Sequence, residues 1–115
     1  MHEFGIASSI LDTLSAEAEK RHGRRLLAVG LRIGEVSGVN SDSLEFCLQC
    51  LVRDTELEGL GIEIERTPRR HRCPRCNREF DVIDYEVECP ECGEFRTVLI
   101  SGDEMEIAYL EVEDG

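Results

Sequence analysis

Apolar residues in the first part of the chain recur at helical spacing. Steps of three and four residues place one apolar stripe on residues 4–22, at Ile6, Ile10, Leu11, Leu14 and Ala18. This period predicts an amphipathic helix with one face buried. Gly23 follows the last stripe residue and is a typical place for the helix to end.

Two later segments alternate between apolar and other residues, which predicts strands. In residues 26–36 the expected buried face is formed by Leu27, Val29, Leu31 and Ile33. In residues 60–67 it is formed by Leu60, Ile62 and Ile64. A second helix is predicted over residues 42–57, with Asn40, Ser41 and Asp42 available as N-caps. Its apolar stripe consists of Leu44, Cys47, Leu48 and Leu51.

A cysteine-rich segment interrupts this order after Pro68. It is followed by a short strand-like run over residues 97–100 and by a last strand over residues 105–112, with Ala108, Leu110 and Val112 on one face. The predicted fold is α+β, a small mixed β-sheet covered by two helices, with a protruding zinc-ribbon lobe. The expected division is residues 1–67 plus 101–115 for the α/β domain and residues 68–100 for the lobe.

Four cysteines in this segment form two C-P-x-C knuckles, Cys73–Cys76 and Cys89–Cys92. Each knuckle turns both sulfurs toward one point, and two knuckles together make a tetrahedral Cys₄ site suited to structural zinc. Gly93 and Asn77 follow the two knuckles and both accept a left-handed backbone. Free thiols or a redox pair are the alternative interpretations.

Three other residues with metal-binding side chains are interpreted as lying outside any metal site. Cys47 and Cys50 lie inside the second predicted helix among leucines, which favours small core residues over a second metal site or a redox pair. His71 lies two residues before Cys73 and is interpreted as a surface residue, with a fringe ligand or a pH-responsive neighbour of the zinc as alternatives.

Composition narrows the possible functions. The 115 residues carry a net charge of −12 and only 5% aromatics, which argues against general affinity for nucleic acid or an anionic membrane. Five of the 12 arginines lie between residues 68 and 78, so a zinc-ribbon module that binds nucleic acid remains the alternative function. The pattern shows no nucleophile–base pair and no phosphate-binding loop, and a protein other than an enzyme is expected.

Cytoplasmic localisation is expected, because the sequence contains neither an apolar run of membrane-spanning length nor a signal-peptide pattern. In that compartment, paired cysteines indicate metal binding in preference to disulfides.

The first three residues offer a second kind of metal site. The amine of Met1, the amide nitrogen of His2 and the His2 imidazole can close a five-membered and a six-membered chelate ring on one ion. Such a nitrogen set suits Ni(II) or Cu(II), and Glu3 can add a carboxylate or another amide nitrogen. A disordered terminus without function is the alternative.

The order of these features closely resembles the HypA family, the nickel-insertion accessory proteins of [NiFe]-hydrogenase maturation. The resemblance rests on the initial Met-His-Glu, the strand at residues 31–39, Ser43–Cys47, the strand at 61–65, both C-P-x-C knuckles and the run Ser101–Met105. It covers nearly the whole chain. Cys50 stands where the family usually has an apolar residue.

The resemblance implies a nickel metallochaperone. Its nickel ligands would be His2, the Met1 amine and Glu3, and its structural zinc ligands would be Cys73, Cys76, Cys89 and Cys92. It also implies a HypB-type GTPase as partner, the [NiFe]-hydrogenase large subunit as client, and urease as a further client in some organisms.

Overall fold

Two helices and six strands make up the part of the chain that the structure describes. The computed structural model describes residues 2–114. In chain order the elements are α1 (Glu3–Lys20), β1 (Leu26–Gly34), α2 (Ser41–Val52), β2 (Gly61–Thr67), β3 (Arg70–Arg72), β4 (Glu79–Asp81), β5 (Val98–Ser101) and β6 (Met105–Val112). Within residues 2–114, neither helix has the length and apolarity needed to cross a membrane.

The first sheet has the order β2-β1-β6 and is mixed, as predicted. β1 pairs with β2 in parallel and with β6 in antiparallel orientation. Its main core joins both helices to β1 through buried residues that include Leu14, Val29, Leu31, Leu44 and Leu48. The prediction of an α+β fold with a small helix-covered sheet is therefore confirmed, and so is the return of the last strand to this sheet.

Both helices end earlier than the sequence pattern predicted. α1 ends at Lys20, and the chain then turns through His22 and Gly23, which have φ of 57° and 76°. α2 ends at Val52, because the Thr55 hydroxyl donates to the Val52 carbonyl (2.6 Å) and Asp54 adopts a φ of 59°. The predicted cap of α2 is confirmed, since the Asn40 side chain accepts from Ser43 N.

Two residues predicted to be buried in the first sheet are exposed. Leu27 is exposed and Leu26 is buried in its place, because the β1–β6 register shifts between Leu26 and Ala28. Ala108 is exposed as well, and Ile107 packs on the core. Each shift inserts one unpaired residue into a strand, and one extra residue reverses the face of the residues before it.

The second sheet has the order β4-β3-β5 and forms the cysteine lobe. β3 and β4 contain three residues each and were not predicted, because three residues are too few to show an alternating pattern. Their middle residues, His71 and Phe80, pair with each other and are buried. The domain division at residues 67/68 and 100/101 stays a prediction.

Candidate metal sites

The two cysteine knuckles repeat the same backbone hydrogen bonds. In the first, Asn77 N donates to Cys73 O and Cys73 N donates to Arg78 O, both at 2.8 Å. The second repeats this pair of bonds around Cys89, with Gly93 in the place of Asn77, at 2.9 Å. Asn77 and Gly93 have φ of 66° and 77°, which confirms the left-handed backbone predicted at both positions. These turns direct the four side chains toward one another.

The four sulfurs form one cluster. All four Sγ atoms of Cys73, Cys76, Cys89 and Cys92 lie within 4.8 Å of one another. Two pairs from opposite knuckles are closer, Cys73–Cys92 at 3.6 Å and Cys76–Cys89 at 3.5 Å. A tetrahedral ion with zinc–sulfur bonds of about 2.3 Å would separate its sulfurs by about 3.8 Å. The donor set and its spacing therefore fit a closed tetrahedral thiolate site.

The thiols of the cluster differ in acidity. Burial opposes ionisation of Cys89, but the amides of Cys92 and Glu91 and two neighbouring thiols stabilise its thiolate, so its pKa falls to about 7. The amide of Arg78 favours the Cys76 thiolate, yet sharing its proton with Cys89 and losing water raise the pKa of Cys76 to about 11. A metal must therefore displace protons as it binds here.

His71 is buried beside this cluster, with 5% of its surface exposed, so its interpretation as a surface residue was wrong. Its Nε2 accepts from Arg69 Nε (3.1 Å), which leaves the proton on Nδ1 to donate to Thr97 Oγ1 (2.9 Å). Thr97 in turn donates to Val87 O (2.6 Å). Burial, reinforced by the Arg69 charge, lowers the pKa of His71. The imidazole thus connects β3 to two loops of the lobe.

The cysteine pair on α2 has one buried and one exposed member. Cys47 is partly buried against the main core, as predicted, whereas Cys50 is exposed, and its interpretation as a core residue was wrong. The helical turn explains the difference: Cys47 lies about 60° from Leu44 around the helix axis and Cys50 about 120°. The face of α2 that packs on the core therefore includes Cys47 and excludes Cys50.

Several arginines that suggested nucleic-acid binding are engaged within the protein. Arg70 pairs with Asp81 at 2.6 Å and Arg78 pairs with Glu91 at 3.2 Å. Arg66 donates to the Ser41 hydroxyl at 3.1 Å. The two ion pairs place a carboxylate beside each of these exposed guanidinium groups, and that negative charge opposes phosphate binding and weakens the alternative.

His2 stands at the start of α1 with its side chain exposed. It is the N-cap residue, and its carbonyl accepts from Ile6 N (3.1 Å), but its imidazole makes no capping hydrogen bond. The first turn of a helix also leaves amide groups without intrahelical acceptors. The start of α1 therefore offers an exposed imidazole next to backbone amides that have no intrahelical acceptor. Met1 lies outside the described residues.

The Glu3 carboxylate is directed toward the start of α2. Its Oε2 accepts from Asn40 N at 3.1 Å, and this bond is the main reason why the pKa of Glu3 lies below its ordinary value. Asn40 is also the cap of α2. Glu3 thereby connects the first turns of the two helices, a role that the sequence pattern did not indicate.

An apolar groove of about 600 Å³ adjoins His2. One wall comes from the first three turns of α1, and the rest comes from β1 and from the start of β6. The lining residues are His2, Gly5, Ile6, Ser9, Ile10, Thr13, Leu31, Ile33, Met105, Glu106 and Ile107. The exposed imidazole therefore lies at the edge of a surface on which apolar side chains of another molecule could be buried.

Comparison with known proteins defines the class. The chain matches the family described as "Hydrogenase/urease nickel incorporation, metallochaperone, hypA" over residues 1–112. The hydrogenase maturation factor HypA of Geobacter metallireducens is 44% identical over 113 residues, which cover 98% of this chain and 100% of that protein. The HypA of Streptomyces avermitilis is 38% identical over 117 residues, covering 100% of this chain and 89% of that protein.

Solved structures share the fold. The solution structure of the Ni metallochaperone HypA from Helicobacter pylori has a TM-score of 0.66 at 20% identity and covers 97% of each chain. A second HypA solution structure has a TM-score of 0.74 at 20% identity and covers 98% of this chain and 97% of that one. The family match and the relatives of 44% and 38% identity place the chain among the nickel metallochaperones of hydrogenase maturation, a class of accessory proteins and not of enzymes. The chain belongs to the HypA family.

Proposed function

We propose that this protein binds Ni(II) at its N-terminus and transfers it, with a HypB-type GTPase, to the [NiFe]-hydrogenase large subunit. The observation that carries the nickel site is the exposed His2 imidazole at the first turn of α1, in a chain matched along residues 1–112 by a nickel-incorporation family. The Met1 amine, the His2 imidazole and the amide nitrogens of His2 and Glu3 are the proposed ligands. Nitrogen donors of this kind suit Ni(II).

Glu3 could provide nickel with either its carboxylate or its backbone nitrogen, and its contact with Asn40 favours the nitrogen. Because its carboxylate accepts from Asn40 N, the side chain holds the first turn in place, and the backbone nitrogen of Glu3 is the proposed donor. Binding then needs a neutral imidazole and the loss of amide protons, so nickel uptake should weaken as the pH falls.

Release requires a partner that can approach this site. The apolar groove beside His2 supports a protein contact there, because Ile6 and Ile10 are partly exposed and Met105 is exposed along its lining, and these side chains offer apolar surface to bury next to the metal. A site with few ligands at a chain terminus can exchange them stepwise during such a contact. We propose Zn(II) for the four-cysteine cluster, where its function is structural.

The test is a nickel titration of the untagged protein against two single variants. His2→Ala should lose stoichiometric Ni(II) binding, followed by calorimetry and by the visible absorption of the bound ion, and should keep its fold by circular dichroism. His22→Ala removes an exposed imidazole at the other end of α1 and should bind nickel like the wild type. Equal affinity in His2→Ala and wild type would exclude the proposed site.

The amine is tested separately. An extension of Gly-Ser-Gly before Met1 should weaken nickel binding at least tenfold, because the free amine then lies too far from His2 to share a chelate with its imidazole. The same three residues added after Gly115 are the matched control and should change nothing. Unchanged affinity in the N-terminally extended protein would remove Met1 from the ligand set without affecting the assignment of His2.

A further inference from the structure

The turn after β4 carries an aromatic residue in an unusual backbone conformation. Glu86 N donates to Ile83 O at 3.0 Å, and the central residues Asp84 and Tyr85 have φ of 52° and 64°. Two consecutive positive φ values define a type I′ turn, whose positions favour Gly, Asn and Asp. A bulky residue there is an outlier. The Tyr85 side chain is nevertheless 86% exposed, so packing of its ring does not explain its presence.

This turn forms one wall of a cleft between the lobe and the first sheet. The cleft has a volume of about 260 Å³ and is lined by Glu35, Val36, Arg69, Val82, Asp84 and Tyr85. Its two walls are held together at Arg69, whose backbone N donates to Glu35 Oε2 and whose carbonyl accepts from Val82 N, both at 2.9 Å. The loop that follows β1 is fixed as well, because Val36 N donates to Gly102 O at 2.7 Å. The cleft is therefore preformed.

The lining groups suit a positively charged side chain. An exposed aromatic ring and two carboxylates, those of Glu35 and Asp84, border one small volume with Val36 and Val82 as apolar walls. Aromatic faces and carboxylates both attract cations. Arg69 also lines the cleft, where its Nε donates to His71, and the two carboxylates outnumber its single positive charge. We propose that this cleft binds a lysine or arginine side chain of a partner protein.

Charge and exposure both favour such an occupant over an acidic one. The protein has a net charge of −12, which attracts basic surfaces and repels acidic ones. Val36 lines the cleft with 40% of its surface exposed, so the partner segment can add an aliphatic contact beside its basic residue. The proposal does not depend on nickel binding at His2, since no residue of the cleft takes part in that site.

The experiment uses the full chain without a tag, labelled for NMR, and two capped probe peptides, Ac-Gly-Arg-Gly-NH₂ and Ac-Gly-Glu-Gly-NH₂. The arginine peptide should shift the amide signals of residues 35–36 and 82–86, and the glutamate peptide should leave them in place. Shifts confined to other parts of the protein, or equal shifts with both peptides, would overturn the proposal.

Three variants identify the groups responsible. Tyr85→Asn keeps a residue that accepts positive φ and should weaken the arginine peptide about two- to fivefold, the range expected for loss of an exposed cation–π contact. Asp84→Asn preserves the turn and should also weaken binding. Phe95→Ser removes another exposed aromatic ring of the lobe, 68% exposed, and should not alter affinity. Unchanged binding in Tyr85→Asn, or an equal loss in Phe95→Ser, would contradict the assignment.

Discussion

At the scale of single residues, the contacts of polar side chains explain features that the sequence pattern could not show. His71 was interpreted as a surface residue from the sequence. Its burial follows from its place at the centre of β3, where β4 and β5 flank it and Arg69 and Thr97 satisfy both ring nitrogens. A buried polar group with both partners present stabilises one arrangement of the chain, and loss of the ring leaves those partners unsatisfied.

His71→Phe should therefore destabilise the lobe. The ring shape is retained, but Arg69 Nε and the Thr97 hydroxyl lose their partner, and the cost should be about 1–3 kcal/mol. Hydrogen exchange of backbone amides in residues 70–101 measures it. His22→Asn replaces an exposed histidine with a residue that accepts its positive φ and is the control, with exchange expected to be unchanged. Wild-type exchange rates in His71→Phe would show that the hydrogen bonds of His71 do not stabilise the lobe.

The contact between Glu3 and Asn40 should depend on pH in a defined direction. The pKa of Glu3 lies below its ordinary value of 4.5, first because Asn40 N donates to the ionised carboxylate. The stabilisation is therefore complete above pH 4.5 and is lost as the pH falls through the lower folded-state value. NMR titration of the Asn40 amide shift should follow this protonation. In Glu3→Gln that titration should be absent, and its persistence would mean that Asn40 senses another group.

At the scale of elements, alternation identified all three strands of the first sheet but misassigned parts of two faces. The pattern of β1 and β6 has period two only between bulges, and a bulge depends on pairing with another strand. Nothing in the local sequence at Leu27 or Ala108 marks the extra residue. The end of α2 was also mispredicted. The helix ends where the Thr55 hydroxyl binds the Val52 carbonyl, and the spacing of apolar residues carries no information about that contact.

The pairing of β1 with β6 requires a glycine at position 30, because the Tyr109 ring lies where a side chain would be. A Cβ on Gly30 would lie 2.0 Å from Cε2 of Tyr109, its partner on β6. Gly30→Ala should therefore displace the ring and lower the free energy of unfolding by about 1–3 kcal/mol. Urea denaturation measures the loss. Tyr109→Ala removes the ring, so Gly30→Ala should cost less stability in the Tyr109→Ala background than in the wild type. Equal costs in the two backgrounds would refute the proposed clash.

At the scale of the whole molecule, the local chemistry of the lobe was predictable and its attachment was not. Two C-P-x-C motifs predicted a cluster of four cysteines, because each motif determines its own turn. The junction instead depends on backbone atoms that are distant in sequence. A Cβ on Gly34 would lie 2.1 Å from the Gly102 carbonyl, and Gly102 has a φ of 115°. Close approach of this kind becomes visible only once the sheets are assembled.

The first sheet and the cysteine lobe have separate cores of very different size. Among residues 2–114, the core of the first sheet contains twelve buried residues and the core of the cysteine lobe contains four, of which Cys73 and Cys89 belong to the cluster itself. Phe80 and Val82 provide little apolar area to oppose the loss of chain entropy, so we expect a bound ion to stabilise the folded lobe. Metal binding and folding of the lobe should therefore be coupled.

Cys73→Ser should separate the stabilities of the two lobes. Zinc content, measured on the purified protein, should fall from one ion per chain to near zero, because three thiolates bind the ion far more weakly than four. Amides in residues 70–101 should lose protection from hydrogen exchange, while those of β1, α1 and α2 keep theirs because their core is separate. Cys50→Ser changes an exposed cysteine outside the cluster and should retain zinc and protection. Full zinc content in Cys73→Ser would refute the ligand set, and loss of protection throughout both sheets would show that the lobes fold as one unit.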